Sequence, residues 1–295
     1  MMLRRAPHAA LLLVTFALCA CDSSHGTAFD GGTPSPDGGG LRPDGGVEGD
    51  SGLGPMLHIH VRTNTDAFTH LDGYAGQTSR DAYQGIRRFE LLRSADDRDP
   101  LVLFDHGDAF VEAGYNDGDD TLVASVPVAG LRPGHYTLGR NVVTHSRYRV
   151  DAVMHASGLV LPGEFDNVQV LSEGTEIDGV VRPQSWFRYI FRTGGMDYPL
   201  EGTGAPLPTE PTTTGGFTLT FDGGEAAYAY PLDITLDTPT PTEDLHIVME
   251  VNMFEAFRWE DQDLPGYADG VLDSTPIASE PVRRFGANSL DVYLE

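Results

Sequence analysis

Two groupings of residues in this chain could do chemistry. Near the C-terminus, Asp261, Asp263, Asp269 and Asp273 space acidic side chains around Gly266 and Gly270. Calcium takes six to eight oxygen ligands at about 2.3–2.6 Å, and acids alternating around a glycine turn supply them. The competing reading is an acidic surface loop shaped by Asp and Gly turns. Earlier in the chain, His58 and His60 stand two apart. On a strand such residues project from one face, so both imidazoles could reach one zinc or copper ion. His155, His145 or Asp151 could add a third ligand from a neighbouring strand; without one, the pair is simply two solvent-facing histidines. His70, His106, His135 and His246 carry no recognisable spacing. A further acidic run, Asn116, Asp117, Gly118, Asp119 and Asp120, follows Asp105-His106-Gly107-Asp108 and reads as a tight turn between strands.

Catalytic signatures are missing. The chain has no Gly-x-Ser-x-Gly elbow, no His-Glu-x-x-His and no glycine-rich phosphate loop. All 19 basic residues are arginine, so lysine chemistry is excluded. A pair of carboxylates for glycoside hydrolysis stays open among 44 acidic residues. The formal net charge of −25 repels phosphate backbones, which argues against nucleic acid. The expectation is a binding or structural role, with no enzyme activity and no required cofactor beyond a possible calcium ion. The alternatives are a zinc- or copper-handling protein using His58 and His60, and a polysaccharide-binding or hydrolysing protein.

The start of the chain addresses it to a membrane. Arg4 and Arg5 precede an apolar run over residues 9–17, then Leu18-Cys19-Ala20-Cys21. That order is the pattern of an export signal. The run is too short to stay as a span, which needs roughly 20 residues. Leu18-Cys19-Ala20-Cys21 resembles the lipobox of bacterial lipoproteins. The resemblance implies cleavage after Ala20, a diacylglycerol on Cys21 and acylation of its new amine, with the lipid bilayer as partner. An ordinary secretory peptide is the alternative. Both cysteines lie in this segment, so the mature body has no free thiol. From residue 21 to 55 the chain is rich in Gly, Pro and Asp with no apolar periodicity, and reads as a disordered acidic tether. At 5–6 Å × √n it reaches about 30 Å. The expected location is the cell envelope, on the outer membrane; Asp22 resembles an inner-membrane retention signal, but the tether length favours the outer one. An envelope protein or a polysaccharide is the expected partner of the body.

The remaining chain must position these residues, and it reads as β throughout. Residues 57–62 alternate, with Leu57, Ile59 and Val61 on one face. Residues 147–155 alternate again, turning Tyr148, Val150, Ala152 and Met154 inward. Residues 217–221 and 228–236 flank Asp222-Gly223-Gly224, a hairpin turn needing positive φ. Further strands are expected at 86–93, 121–126, 135–143, 185–191, 245–251 and 289–294. Short helices are expected over 81–88 and 252–259, and a long surface loop or domain junction over 194–216. Such alternation predicts an all-β fold of antiparallel β-sandwich type. It could be two sandwich domains, 56–193 and 194–295, or one elaborated sandwich in which the second part continues the first.

Two weaker resemblances add to this. The stretch from Leu131 to Leu138 is similar to the Leu-x-x-Gly-x-Tyr-Thr-Leu corner of prealbumin-like and carboxypeptidase-regulatory-like sandwiches. It implies that Gly134 turns a corner and Tyr136 packs at the start of the next strand. The stretch 261–273 is similar to dockerin and thrombospondin-type calcium loops, with Asp261 and Asp263 matching the opening and Asp269, Gly270 and Asp273 the close. About four extra residues, including Pro265 and Gly266, interrupt it.

Overall fold

Alternating burial builds this protein into strands. In a computed structural model describing residues 54–208, 216–236 and 242–295, Leu57, Ile59 and Val61 are at most 2% exposed, while their neighbours face outward. Cys21, the expected leader and the expected tether up to residue 53 lie outside the described residues, as do 209–215 and 237–241.

The strands are β1 (Met56–Asn64), β2 (Ala75–Gln77), β3 (Arg80–Leu92), β4 (Leu101–Asp105), β5 (Val111–Gly114), β6 (Asp120–Pro127) and β7 (Gly134–Ala156). Then come β8 (Leu159–Val170), β9 (Thr175–Ile177), β10 (Val180–Arg182), β11 (Trp186–Thr193), β12 (Met196–Thr203), β13 (Thr218–Asp222) and β14 (Glu225–Leu236). The chain closes with β15 (Leu245–Asn252), β16 (Phe257–Trp259), β17 (Asp273–Thr275), β18 (Ala278–Ser279), β19 (Val282–Arg284) and β20 (Ser289–Leu294). Val128–Gly130 makes one 3-10 turn, and the described residues contain no α-helix.

Two sheets face each other. The smaller has four strands in the order β20-β15-β1-β6, and the larger has eleven. Apolar side chains from both meet in one core: Leu57, Ile59, Val61, Ile247 and Met249 from the first, Ile86, Phe89, Leu91, Tyr136 and Tyr230 from the second. The all-β sandwich expected from alternation is therefore present. Its pairing is mostly antiparallel, but β1 runs parallel to β15 and β17 parallel to β7. Because β1 and β15 share a sheet and β14 pairs with β7, residues beyond 194 continue the sheets begun before it. All described residues belong to one compact unit.

The organising element is β7. The sequence suggests two strands, 135–143 and 147–155; the chain runs through both as one strand of 23 residues. Along one edge β14 pairs with Gly134 to Val143, and β8 takes over from His145 to Ala156. Ser172 joins the two at the changeover. Its Oγ donates to the Val143 carbonyl at 2.5 Å and accepts the Ala226 N–H at 2.9 Å. The Thr144 carbonyl accepts the N–H groups of Leu171 and Ser172 at 2.8 and 3.0 Å. Along the other edge runs β3, where Gly85 crosses close above this point. A Cβ there would lie 2.1 Å from Thr144 Oγ1, so no other residue fits without displacing it.

Several expectations are corrected. The stretch 81–88 belongs to β3, because Ala82, Ile86 and Phe89 are needed in the core and the segment pairs with both β5 and β7. The stretch 252–259 is the end of β15, a turn with Glu255 at φ 46°, and β16. The stretch 194–216 is not all loop: Met196–Thr203 forms β12, which pairs with β11 and is an outer edge of the large sheet. Met196, Tyr198 and Leu200 are 57%, 45% and 55% exposed there, with Pro199 between them. Other expectations hold. Gly223 and Gly224 take φ of 57° and 84° in the β13–β14 hairpin. Asn116 to Asp120 is a turn, closed by Asp119 N–H on the Asn116 carbonyl at 3.0 Å. Tyr136 is fully buried near the start of β7, and its hydroxyl donates to the Arg132 carbonyl at 2.7 Å.

One ion pair, buried on its arginine side, fixes β16. Arg258, 4% exposed, donates to Asp72 Oδ1 at 2.6 Å and to the Tyr74 carbonyl. Burial alone would raise the Asp72 carboxyl, but hydrogen bonds from Arg258 and the Tyr74 N–H pull it below its ordinary value of 3.8. Its contribution is therefore complete above that value and is lost as pH falls through the depressed one. Asp72→Asn should cost about 1.5–3 kcal/mol near neutral pH and flatten the acid limb of a stability–pH curve from urea titrations. In the same assay Ile59→Ala, at a fully buried site between the sheets, should cost about 2–5 kcal/mol.

Candidate functional site

A cavity of about 500 Å³ lies against the second half of β7. Strand alternation puts Tyr148 of β7, Phe165, Asn167 and Gln169 of β8 and Tyr189 of β11 on one face, in register across the three strands. Phe257 of β16 and the stretch from Ser279 to Phe285 form the opposite wall, and Pro206, Leu207 and Pro208 line the rim. The volume falls in the range typical of small-ligand sites.

The lining combines aromatic rings and amides with prolines and aliphatic side chains, and its charged members are Glu280 and Arg283. Tyr148 stacks on Phe285 at 5.3 Å and leans on Phe257 at 5.5 Å. Tyr189 packs beside Phe187 at 4.6 Å. Asn167 and Gln169 are 6% and 1% exposed. The Gln169 amide donates to the Pro206 carbonyl at 2.8 Å, and its oxygen accepts from the Tyr189 hydroxyl at 3.4 Å. Burial pushes the Tyr189 phenol up to about 12 and the Tyr148 phenol well above its ordinary value. Both stay protonated across physiological pH and can donate hydrogen bonds. Gly163, where β8 passes β11, keeps this wing tight: a Cβ there would lie 2.2 Å from the Arg192 carbonyl oxygen.

Among the described lining residues one carboxyl is present, that of Glu280. It is 2% exposed, and its oxygens accept the N–H groups of Gln262 and Asp273 at 2.7 and 2.8 Å. Burial raises it above its ordinary value despite these two hydrogen bonds, with the nearby charges of Asp261 and Asp273 acting in the same direction.

The acidic turn that suggested calcium adjoins this wall. Asp273 is 1% exposed; its Oδ1 accepts from His155 Nε2 at 2.5 Å and its Oδ2 from the Ala268 N–H at 2.9 Å. Asp261 accepts the Gly270 N–H at 2.6 Å. Asp263 and Asp269 point to solvent. The protein's own N–H groups and His155 thus occupy oxygens that a calcium ring would need. Among the described residues, no three His, Cys, Asp or Glu side chains already converge on a metal position.

The histidine pair lies on the small sheet. His58 and His60 project from the outer face of β1, as the alternation implies. Neither His145 nor His155 joins them. His145 is 1% exposed and pairs with Glu112 at 3.0 Å, and His155 is held by Asp273. Their neighbour is His246, which the parallel register of β1 and β15 sets directly beside His58. Its ring centre is 5.0 Å from that of His58 and 5.5 Å from that of His60. His246 lies in a strand the sequence places correctly, yet nothing local says which strand it adjoins. The amides and aromatic rings of β8 were missed for another reason: Pro162 and Gly163 interrupt the run, and its later part is buried on both faces, with Phe165 sharing a face with the polar Asn167 and Gln169, so no clean alternation marks it.

No protein-family model, no curated protein and no solved structure matches this chain.

Proposed function

We propose that this chain is a lipid-anchored envelope protein whose β-sheet body binds a neutral, ring-bearing ligand, a sugar unit of a glycan, in the cavity beneath β8 and β11. The observation that carries the ligand class is the juxtaposition of Tyr148 and Tyr189 with the buried amides of Asn167 and Gln169. Sugar rings offer apolar faces that stack on aromatic rings and hydroxyls that need both donors and acceptors. Amides and protonated phenols supply both without adding charge. The strongly acidic chain disfavours anionic ligands for the same reason it disfavours nucleic acid. Binding, with no hydrolysis, is the favoured role. Glycoside hydrolysis generally takes two carboxyl groups facing the bond, and among the described lining residues only Glu280 offers one, its oxygens engaged by backbone N–H groups.

The anchor rests on Arg4, Arg5, the apolar run and Leu18-Cys19-Ala20-Cys21. A Gly-, Pro- and Asp-rich stretch then separates Cys21 from β1.

Calorimetric titration of neutral oligosaccharides into the full chain should find at least one binder. Tyr189→Ala should weaken it about tenfold or more, the scale of one lost stacking contact with its ordered neighbours. Failure of a broad neutral glycan panel to bind, or equal binding by Tyr189→Ala and Asn167→Ala, would defeat the sugar reading. Separately, intact-mass spectrometry of protein from its native host should show residues 1–20 removed and Cys21 carrying three acyl chains. An unmodified Cys21 would rule out the anchor while leaving the cavity reading untouched.

A further inference from the structure

We propose that His58, His60 and His246 bind a divalent transition-metal ion, zinc foremost, with Asp244 as the fourth ligand. This goes beyond the glycan reading and concerns a different sheet.

Four observations converge. First, the spacing of the rings suits an ion. Zinc–nitrogen bonds of about 2.0–2.1 Å put the centres of two imidazoles on one tetrahedral ion about 5 Å apart. The His246 ring centre is 5.0 and 5.5 Å from the other two. Second, two of the rings have their remote nitrogens fixed in the manner of metal-bound histidines. His60 Nδ1 lies 2.8 Å from Asp120 Oδ1, and Asp120 is itself held by Arg62 Nε at 2.8 Å. His58 Nδ1 lies 2.8 Å from Ser125 Oγ. These contacts leave Nε2 of each ring as the ligand atom. Third, a carboxylate is at hand: Asp244 Oδ2 is 3.5 Å from His58 Nε2, and Asp244 is itself steadied by the Met56 N–H at 2.7 Å. Fourth, among the described residues the His246 ring has ring contacts with His58 and His60 but no hydrogen-bond partner. Its ring nitrogens are thus not committed to another protein group and are free to take an ion.

The rings now lie tilted or stacked, at 29° and 39° to one another, and their donor atoms do not yet converge. Closing the site requires the His246 ring to turn about its Cβ–Cγ bond, a broad and soft torsion. Three imidazoles and one carboxylate form a donor set suited to zinc, copper or nickel and unsuited to calcium or magnesium.

The test is equilibrium dialysis of zinc against the full chain, with Cys19 and Cys21 alkylated so that no thiol competes. One zinc per chain is expected. His58→Ala/His60→Ala should abolish it, and His246→Ala should weaken it at least tenfold, while His155→Ala, on the Asp273 pair, leaves it unchanged. Zinc binding that survives His246→Ala, or that disappears with His155→Ala, overturns the assignment. If His246→Ala is poorly folded, cobalt(II) spectra of the wild-type chain decide. Intense visible bands of a tetrahedral site are expected, and a pale six-coordinate spectrum overturns the proposal.

Discussion

Everything in this fold hangs on one strand that belongs to two neighbours in turn. β7 is too long for any single partner, and at Val143–Thr144 it passes from β14 to β8. Such a handover would strand buried backbone groups, which are costly to leave unpaired. Ser172 resolves it by donating to the Val143 carbonyl and accepting the Ala226 N–H, while the Thr144 carbonyl takes two further N–H groups. The first half of β7 can then lie over the small sheet, and the second half can carry a wing of its own.

That division explains why the cavity and the histidines occupy different parts of one body. The Tyr148 face of the wing of β7, β8 and β11 is roofed by Phe257 and the stretch from Ser279 to Phe285. That cover belongs in part to a small sheet of three short strands, β19-β16-β2, which leaves space beneath. Arg258, anchored on Asp72, holds that cover at β16. The small sheet, in contrast, packs its apolar face fully into the core and turns a polar face outward. There Arg62, Asp120 and Glu295 form an ion-pair network next to the imidazoles.

Periodicity made the class of the fold legible, together with β1, the β13–β14 hairpin and the inward face of β7. These segments alternate cleanly because one side meets the core and the other meets water. Where the pattern misled, tertiary demands had overridden local preference. Residues 81–88 could be helical in isolation, yet they must thread between β5 and β7, with Gly85 packed close against Thr144. β8 stayed hidden because Pro162 and Gly163 break its pattern just where it must bend closely past β11. The turns at Gly118 and Gly223–Gly224 were readable, since positive φ names its residue. The histidine pair was visible as a pair, but its third member depends on a parallel pairing between the two ends of the folded chain. No local spacing encodes such a pairing, and the aromatic cavity shares that difficulty.

The edge formed by β12 has a consequence for a protein crowded beside its own copies. A long outer strand with exposed Met196, Tyr198 and Leu200 invites another chain to extend the sheet. Pro199 has no N–H to give to such a ladder, and Asp197 and Glu201 on the same strand, paired with Arg192 and Arg182, keep this edge charged. The strand can thus stay greasy enough to complete the wing without seeding growth of fibrils.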